Sequence, residues 1–110
     1  MVPEIDLQTF AAAHADGALV VDVREPYEYS AGHVPGAQLL PMAGVHARIG
    51  DLPKGEAVYV ICASGNRSNT AAGWLRSAGI DAISVAGGTG GWIGQGRAVV
   101  RGERANQSAA

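Results

Sequence analysis

Apolar and polar positions along this chain fall into short blocks whose period changes from one to the next. Asp6 precedes Leu7, Phe10 and Ala11 at helical spacing, and Asp16-Gly17 closes that block, which predicts a first helix. The valine-rich run Ala18 to Asp22 is apolar without alternation, as in a strand buried on both faces. Glu25-Pro26 opens a short helix that Ala31-Gly32 stops, since proline is tolerated in a first helical turn. His33-Val-Pro-Gly36 is turn chemistry, Gln38 to Leu40 reads as a brief strand, and Pro41 to Ile49 as a helix closed by Gly50. The clearest strand is Ala57 to Ile61. A polar, glycine-containing stretch follows it, and then a helix from Ser68 to Ala78 with Ala71, Ala72, Leu75 and Ala78 on one face. Ile80 to Val85 is the last strand, and Gly87-Gly88 begins a short helix around Trp92.

Apolar strands alternating with helices across short turns predict an α/β domain with a mostly parallel sheet. There is no internal repeat. Residues 1–100 form one domain in this reading, and the polar stretch 101–110 is a tail expected to fray.

Composition narrows the function. Of 110 residues, 47% are hydrophobic and 16% charged, which favours a packed globule over a disordered chain. The net charge is −2 with no block of Lys or Arg, so neither nucleic acid nor an anionic membrane is an expected partner. No apolar run is long enough to cross a bilayer, and the start of the sequence lacks the basic and apolar pattern of a signal peptide, so a cytoplasmic protein is expected. The single cysteine, Cys62, cannot form an internal disulfide or a zinc site built on cysteine pairs. His14, His33 and His46 lack ligand spacing, so no metal and no cofactor is expected.

Cys62 ends the clearest strand, where open parallel sheets bind ligands. The segment Cys62-Ala63-Ser64-Gly65-Asn66-Arg67-Ser68 joins that strand to a helix. The first amides of a helix lack backbone partners, and Gly65 lets the loop curl so that they point inward as an anion nest. Arg67 adds a fixed positive charge. A free thiol has a pKa of about 8.5, and about 2.7 kcal/mol would make it mostly thiolate at neutral pH. A helix end supplies about 0.3–2 kcal/mol, and amide bonds to an anion about 1.5–3 kcal/mol each, so this loop can activate Cys62 without a base. A cysteine ending an apolar strand is often only a core residue. Here the residues after it abandon burial at once, which sets that reading behind the nucleophile.

Cys62 to Ser68 resembles the active-site loop of single-domain rhodanese proteins. The resemblance extends over nearly the whole chain: Val21-Asp-Val-Arg-Glu-Pro-Tyr-Glu-Tyr29, then Gly32-His-Val-Pro-Gly-Ala37, then the loop, then Gly87-Gly-Thr-Gly-Gly-Trp92. It implies a five-stranded parallel sheet with helices on both faces. It also implies that Cys62 becomes a persulfide, with Ala63, Ser64, Gly65, Asn66, Arg67 and Ser68 binding the substrate. The partners it implies are a small sulfur donor such as thiosulfate, a persulfide or polysulfide, and a cyanide, thiol or protein acceptor. Ala63 departs from relatives that carry a basic or longer polar side chain there, which points away from thiosulfate. Ala98 replaces a frequent proline.

Asp22, Arg24, Glu28 and His33 are read as structural support for the site, with Asp22 and Arg24 as an ion pair locking the turn after the first long strand. Gly87 to Gly96 fits neither a dinucleotide fingerprint nor a P-loop, and Trp92 is read as a core anchor. Two other functions compete. Phosphatase-type and arsenate reductase-type enzymes also pair a cysteine with an anion loop and an arginine, but their loops hold one more residue between the two than the four between Cys62 and Arg67. A binding module or partner-docked sulfur relay would use the same fold.

Overall fold

The computed structural model describes residues 2–106. The elements in chain order are β1 (Glu4–Ile5), α1 (Leu7–Ala15), β2 (Leu19–Asp22), α2 (Pro26–Ala31), β3 (Gln38–Leu39), α3 (Val45–Arg48), β4 (Ala57–Ile61), α4 (Asn66–Ser77), β5 (Asp81–Val85) and α5 (Gly88–Gly94). The strands form one sheet in the order β1-β5-β4-β2-β3, and every pairing is parallel. The expected five-stranded α/β architecture is what the chain adopts.

The pleat sends alternate residues to opposite faces. Val21, Val58, Val60 and Ala82 pack with Val45, Ala71, Ala72 and Leu75 of α3 and α4. Val20, Ile61 and Val85 pack with Phe10, Tyr29 and Trp92 of α1, α2 and α5. Helices therefore cover both faces. A strand buried on both sides cannot show the polar alternation of a half-exposed one, which is why β2 and β4 read as unbroken apolar runs.

Three segments differ from the sequence reading. The apolar pattern gave four strands, and β1 is the fifth that the resemblance implied: two residues, Glu4 and Ile5, opposite Ser84 and Val85 at the sheet edge. The helix expected over 41–49 is broken into a 3-10 turn (Met42–Gly44), α3 and a second 3-10 turn (Ile49–Asp51). Gly44 and Gly50 interrupt it, and glycine weakens a helix interior. Helix α4 begins at Asn66, two residues before Ser68.

The polar tail is described as far as Asn106, and over that stretch it lies against α2 and the turn after it. The Gly102 amide donates to Ser30 O at 2.8 Å, Gly36 N to Ala105 O at 2.8 Å, and His33 pairs with Val100 through both backbone groups at 2.9 Å. The rest of the expected frayed tail, residues 107–110, lies outside the described residues.

Candidate active site

Cys62 follows the last residue of β4, at the carboxyl edge of the sheet and between β2 and β5. It is only 1% exposed, as buried as the core valines, so exposure alone would class it as structural. Its sulfur, however, has polar company. The Gly65 amide donates to Sγ at 3.1 Å, and the thiol donates to Ser68 Oγ at 3.4 Å. The loop thus folds over the sulfur, with exposed Ser64 and Asn66 on its outer side.

Gly65 makes that fold possible. Its φ of +117° lies in the left-handed region, where a side chain would be strained, and it stands at the N-cap of α4 without a side-chain cap. Because α4 starts at Asn66, Ser68 is the third helical residue and is fully buried, so its hydroxyl turns back into the loop. It donates to Gly65 O at 3.1 Å and lies 2.8 Å from Ser84 Oγ of β5.

Ser84 is a residue the sequence reading missed. A polar side chain in the apolar run Ala82 to Val85 was the available signal. Ser68 has one hydroxyl proton. When Cys62 is a thiolate, Ser68 can turn that proton to sulfur while Ser84 donates to the Ser68 oxygen. Such a chain strengthens each of its members.

These contacts act against burial on the thiol's acidity. Burial raises the Cys62 pKa, while the Ser68 hydroxyl and the amides of Ser68, Gly65 and Ser64 lower it; the net direction is down. The thiolate, the nucleophilic form, is therefore easier to reach than in a free cysteine.

A second feature of the site comes from Gly87-Gly88-Thr89-Gly90. The Thr89 amide donates to Cys62 O at 2.8 Å and the Gly90 amide to Ala63 O at 2.9 Å. A Cβ on Gly88 would stand 2.5 Å from Cys62 O and 2.6 Å from the Ala63 carbonyl, and Gly88 has a φ of +58°. The start of α5 therefore clamps the backbone of the cysteine, and only glycine fits that approach. The glycine pair was visible in the sequence, but its contact with residue 62 was not.

Of the supporting residues, Asp22 and Arg24 form the expected buried ion pair. Arg24 Nε and Nη2 reach the Asp22 carboxylate at 2.8–3.1 Å, and Nη2 also donates to Gly32 O at 2.9 Å. Asp22 pairs with Ile61 in the sheet, one residue before Cys62, so the ion pair braces the neighbouring strand end. Glu28 binds Arg67 through two bonds of 2.8 and 2.9 Å. The fixed positive charge that the loop carries at Arg67 is thus already paired. His33 belongs elsewhere: its ring nitrogens face Tyr29 O at 2.8 Å and Arg104 O at 2.7 Å, and its ring stacks on Tyr29. It holds the C-terminal segment.

Trp92 is the core anchor expected, edge-on to Phe10 and donating to Ala98 O at 2.8 Å. His14 contacts Pro35 O and His46 packs on Trp74. Among the described residues, no group of three or more His, Cys, Asp or Glu side chains could hold a metal ion, and no helix is long and apolar enough to cross a membrane.

The family model described as "Rhodanese-like domain" matches residues 6–95, a span running from the cap of α1 to the end of α5. The chain belongs to the rhodanese-like domain family. Within it, the chain is 35% identical over 103 residues to a protein of Allochromatium vinosum named "Sulfurtransferase", covering 91% of this chain and 96% of that one. It is 38% identical over 78 residues to "Thiosulfate sulfurtransferase GlpE" of Pseudomonas entomophila, covering 70% and 72%. Against YrkF of Bacillus subtilis, whose name calls it a sulfur carrier protein, identity is 36% over 97 residues. That match takes in 86% of this chain but only 52% of the relative, so the chain spans about half of that protein. Among solved structures, a rhodanese-related protein from Thermoplasma volcanium superposes with a TM-score of 0.83 at 31% identity, covering 89% of this chain and 97% of that one.

Proposed function

We propose that this rhodanese-like domain is a sulfurtransferase that carries sulfane sulfur on Cys62. The observation that supports it most is a sulfur that accepts the Gly65 amide and donates to the Ser68 hydroxyl, contacts that raise its acidity. In the first half-reaction the Cys62 thiolate attacks the outer sulfur of a donor. The donor's S–S bond breaks, its electron pair leaves with sulfite from thiosulfate or with a thiolate from a persulfide, and a Cys62 persulfide forms. In the second, cyanide or a thiolate attacks the outer sulfur of that persulfide, the S–S electron pair returns to Cys62 as its thiolate, and thiocyanate or a new persulfide is released. The loop amides of residues 64, 65 and 68 hold the anionic sulfur at each stage, a preorganised stabilisation that needs no reorganisation during the reaction.

Names among the relatives, "Sulfurtransferase" and "Thiosulfate sulfurtransferase GlpE", agree with this chemistry. The tight loop supports it too. With four residues between Cys62 and Arg67, one fewer than in phosphatase-type loops, it suits a cradle for one sulfur atom better than one for a tetrahedral phosphate. The small-molecule donor and acceptor, and a protein acceptor of the sulfur, are parts of the same proposal, as is a cytoplasmic setting in which the thiol stays reduced.

Steady-state transfer to cyanide, followed as thiocyanate, tests the reading. Wild-type protein should turn over with a sulfane-sulfur donor, and Cys62→Ser should fall to background with an unchanged circular dichroism spectrum and melting curve. Transfer by Cys62→Ser at the wild-type rate would remove the cysteine from the reaction. Hydrolysis of p-nitrophenyl phosphate faster than sulfur transfer would replace the reaction class.

A further inference from the structure

Arg67 is the only charged side chain between residues 62 and 68; the others are Cys, Ala, Ser, Gly, Asn and Ser. Both of its terminal nitrogens are taken by Glu28, at 2.8 and 2.9 Å, in a bidentate pair. Glu28 is itself held. It is the third residue of α2, and its Oε1 accepts the Glu25 amide at 3.0 Å in a reciprocal capping box. The carboxylate therefore belongs to a helix end and cannot follow a loop side chain that swings toward a substrate. The bonds from Arg67 hold the Glu28 carboxyl down to about 2, so it is charged throughout the physiological range.

The two donor chemistries make different demands on that arginine. Thiosulfate is a dianion whose sulfur departs from sulfite, and its three oxygens need a cation or several donors as the charge leaves. An alkyl persulfide presents a single sulfur. The Cys62 thiolate takes the outer atom, the S–S electron pair goes to the departing alkyl thiolate, and no oxyanion appears. Around that one sulfur atom the loop already keeps the Gly65 amide, which donates to it at 3.1 Å, the amides of Ser64 and Ser68, and the Ser68 hydroxyl, which accepts the thiol proton and can turn its own proton to the thiolate.

Building on the sulfurtransferase reading, we infer that Glu28 is a specificity-determining residue. By occupying Arg67 it withholds the loop's cation from the oxygens of thiosulfate, and so directs the site to donors whose leaving group is a thiolate. Arg67 is 38% exposed and Glu28 20%, so the pair sits at the rim, where a freed guanidinium can turn to an arriving dianion.

Glu28→Gln tests this. Glutamine keeps the length and an oxygen for the Glu25 amide, and removes the charge that holds Arg67. Second-order rates of Cys62 sulfur loading are measured with thiosulfate and with an alkyl persulfide bearing no carboxylate or sulfonate. The quantity read is the ratio of the two on one preparation, so any loss of folded protein cancels. Wild type should prefer the persulfide, and Glu28→Gln should raise the thiosulfate-to-persulfide ratio by about tenfold or more, the scale of one freed charge-assisted bond. Glu28→Gln combined with Arg67→Gln should return the ratio to the wild-type value.

A ratio that stays level or falls in Glu28→Gln overturns the inference, as does a rise that survives the loss of Arg67, or a wild type that prefers thiosulfate. Those results leave the Cys62 reaction standing. Failure of the wild type to load from either donor overturns the reaction itself and this specificity with it.

Discussion

At Cys62 burial and hydrogen bonding pull in opposite directions, and the outcome sets the chemistry. Taking a thiol out of water disfavours its anion, yet the Ser68 hydroxyl and three loop amides reverse the sign. The reactivity of Cys62 toward a small alkylating agent should therefore have its midpoint below that of a free thiol, about 8.5. Ser68→Ala removes the largest of the lowering contacts. It should move that midpoint up by about one pH unit or more, on the usual scale of a hydrogen bond to a charged group. A midpoint unchanged in Ser68→Ala would mean that the amides alone set the thiol's acidity. Part of this was open to inspection in the sequence: the cysteine at a strand end, the glycine that curls the loop and the serine at the helix start are all local. Ser84 was not, because its contact with Ser68 spans 16 positions and depends on which strand lies beside β4.

Among the elements, α5 matters out of proportion to its seven residues. Its first turn donates two amides to the carbonyls of Cys62 and Ala63, and this is possible because Gly88 has no side chain to keep the backbones apart. Gly88→Ala should cost about 2–3 kcal/mol in urea unfolding, from the clash with Cys62 O and the positive φ together. It should also slow sulfur loading, because relief of the clash moves the loop. Gly94→Ala in the same helix meets no atom within 4 Å and should change neither measurement appreciably. Equal effects at the two positions would remove the clamp. The long strands and helices were legible because burial on one or both faces imposes a pattern on every residue in them. The two-residue β1 was not, since two positions cannot display a period, and its place is fixed only by Ser84 and Val85 across the sheet edge. Gly44 and Gly50 marked the breaks around α3, but a helix of four residues sustains too little periodicity to be separated from the 3-10 turns beside it.

For the molecule as a whole, the sheet brings β2, β4 and β5 side by side, so that the supporting ion pair, the cysteine and Ser84 meet at one edge. The far end of the chain is tied to the same framework through His33, which is fully buried between Tyr29 O and Arg104 O. His33→Leu would remove the ring's hydrogen bonding to the tail, and the Tyr29 carbonyl would keep only the Gly32 amide at 3.1 Å, a loss of about 1–3 kcal/mol for a buried group left unpaired. Thermal melting should drop clearly while the alkylation midpoint of Cys62 holds, and a shifted midpoint would instead tie His33 to the site. The most direct check on sulfur carriage is the intact mass of the protein after incubation with a sulfane-sulfur donor and removal of the excess. Wild-type protein should gain the mass of one sulfur atom, lose it on addition of cyanide, and show no gain as Cys62→Ser. A wild-type mass that never changes, or the same gain in Cys62→Ser, would contradict it.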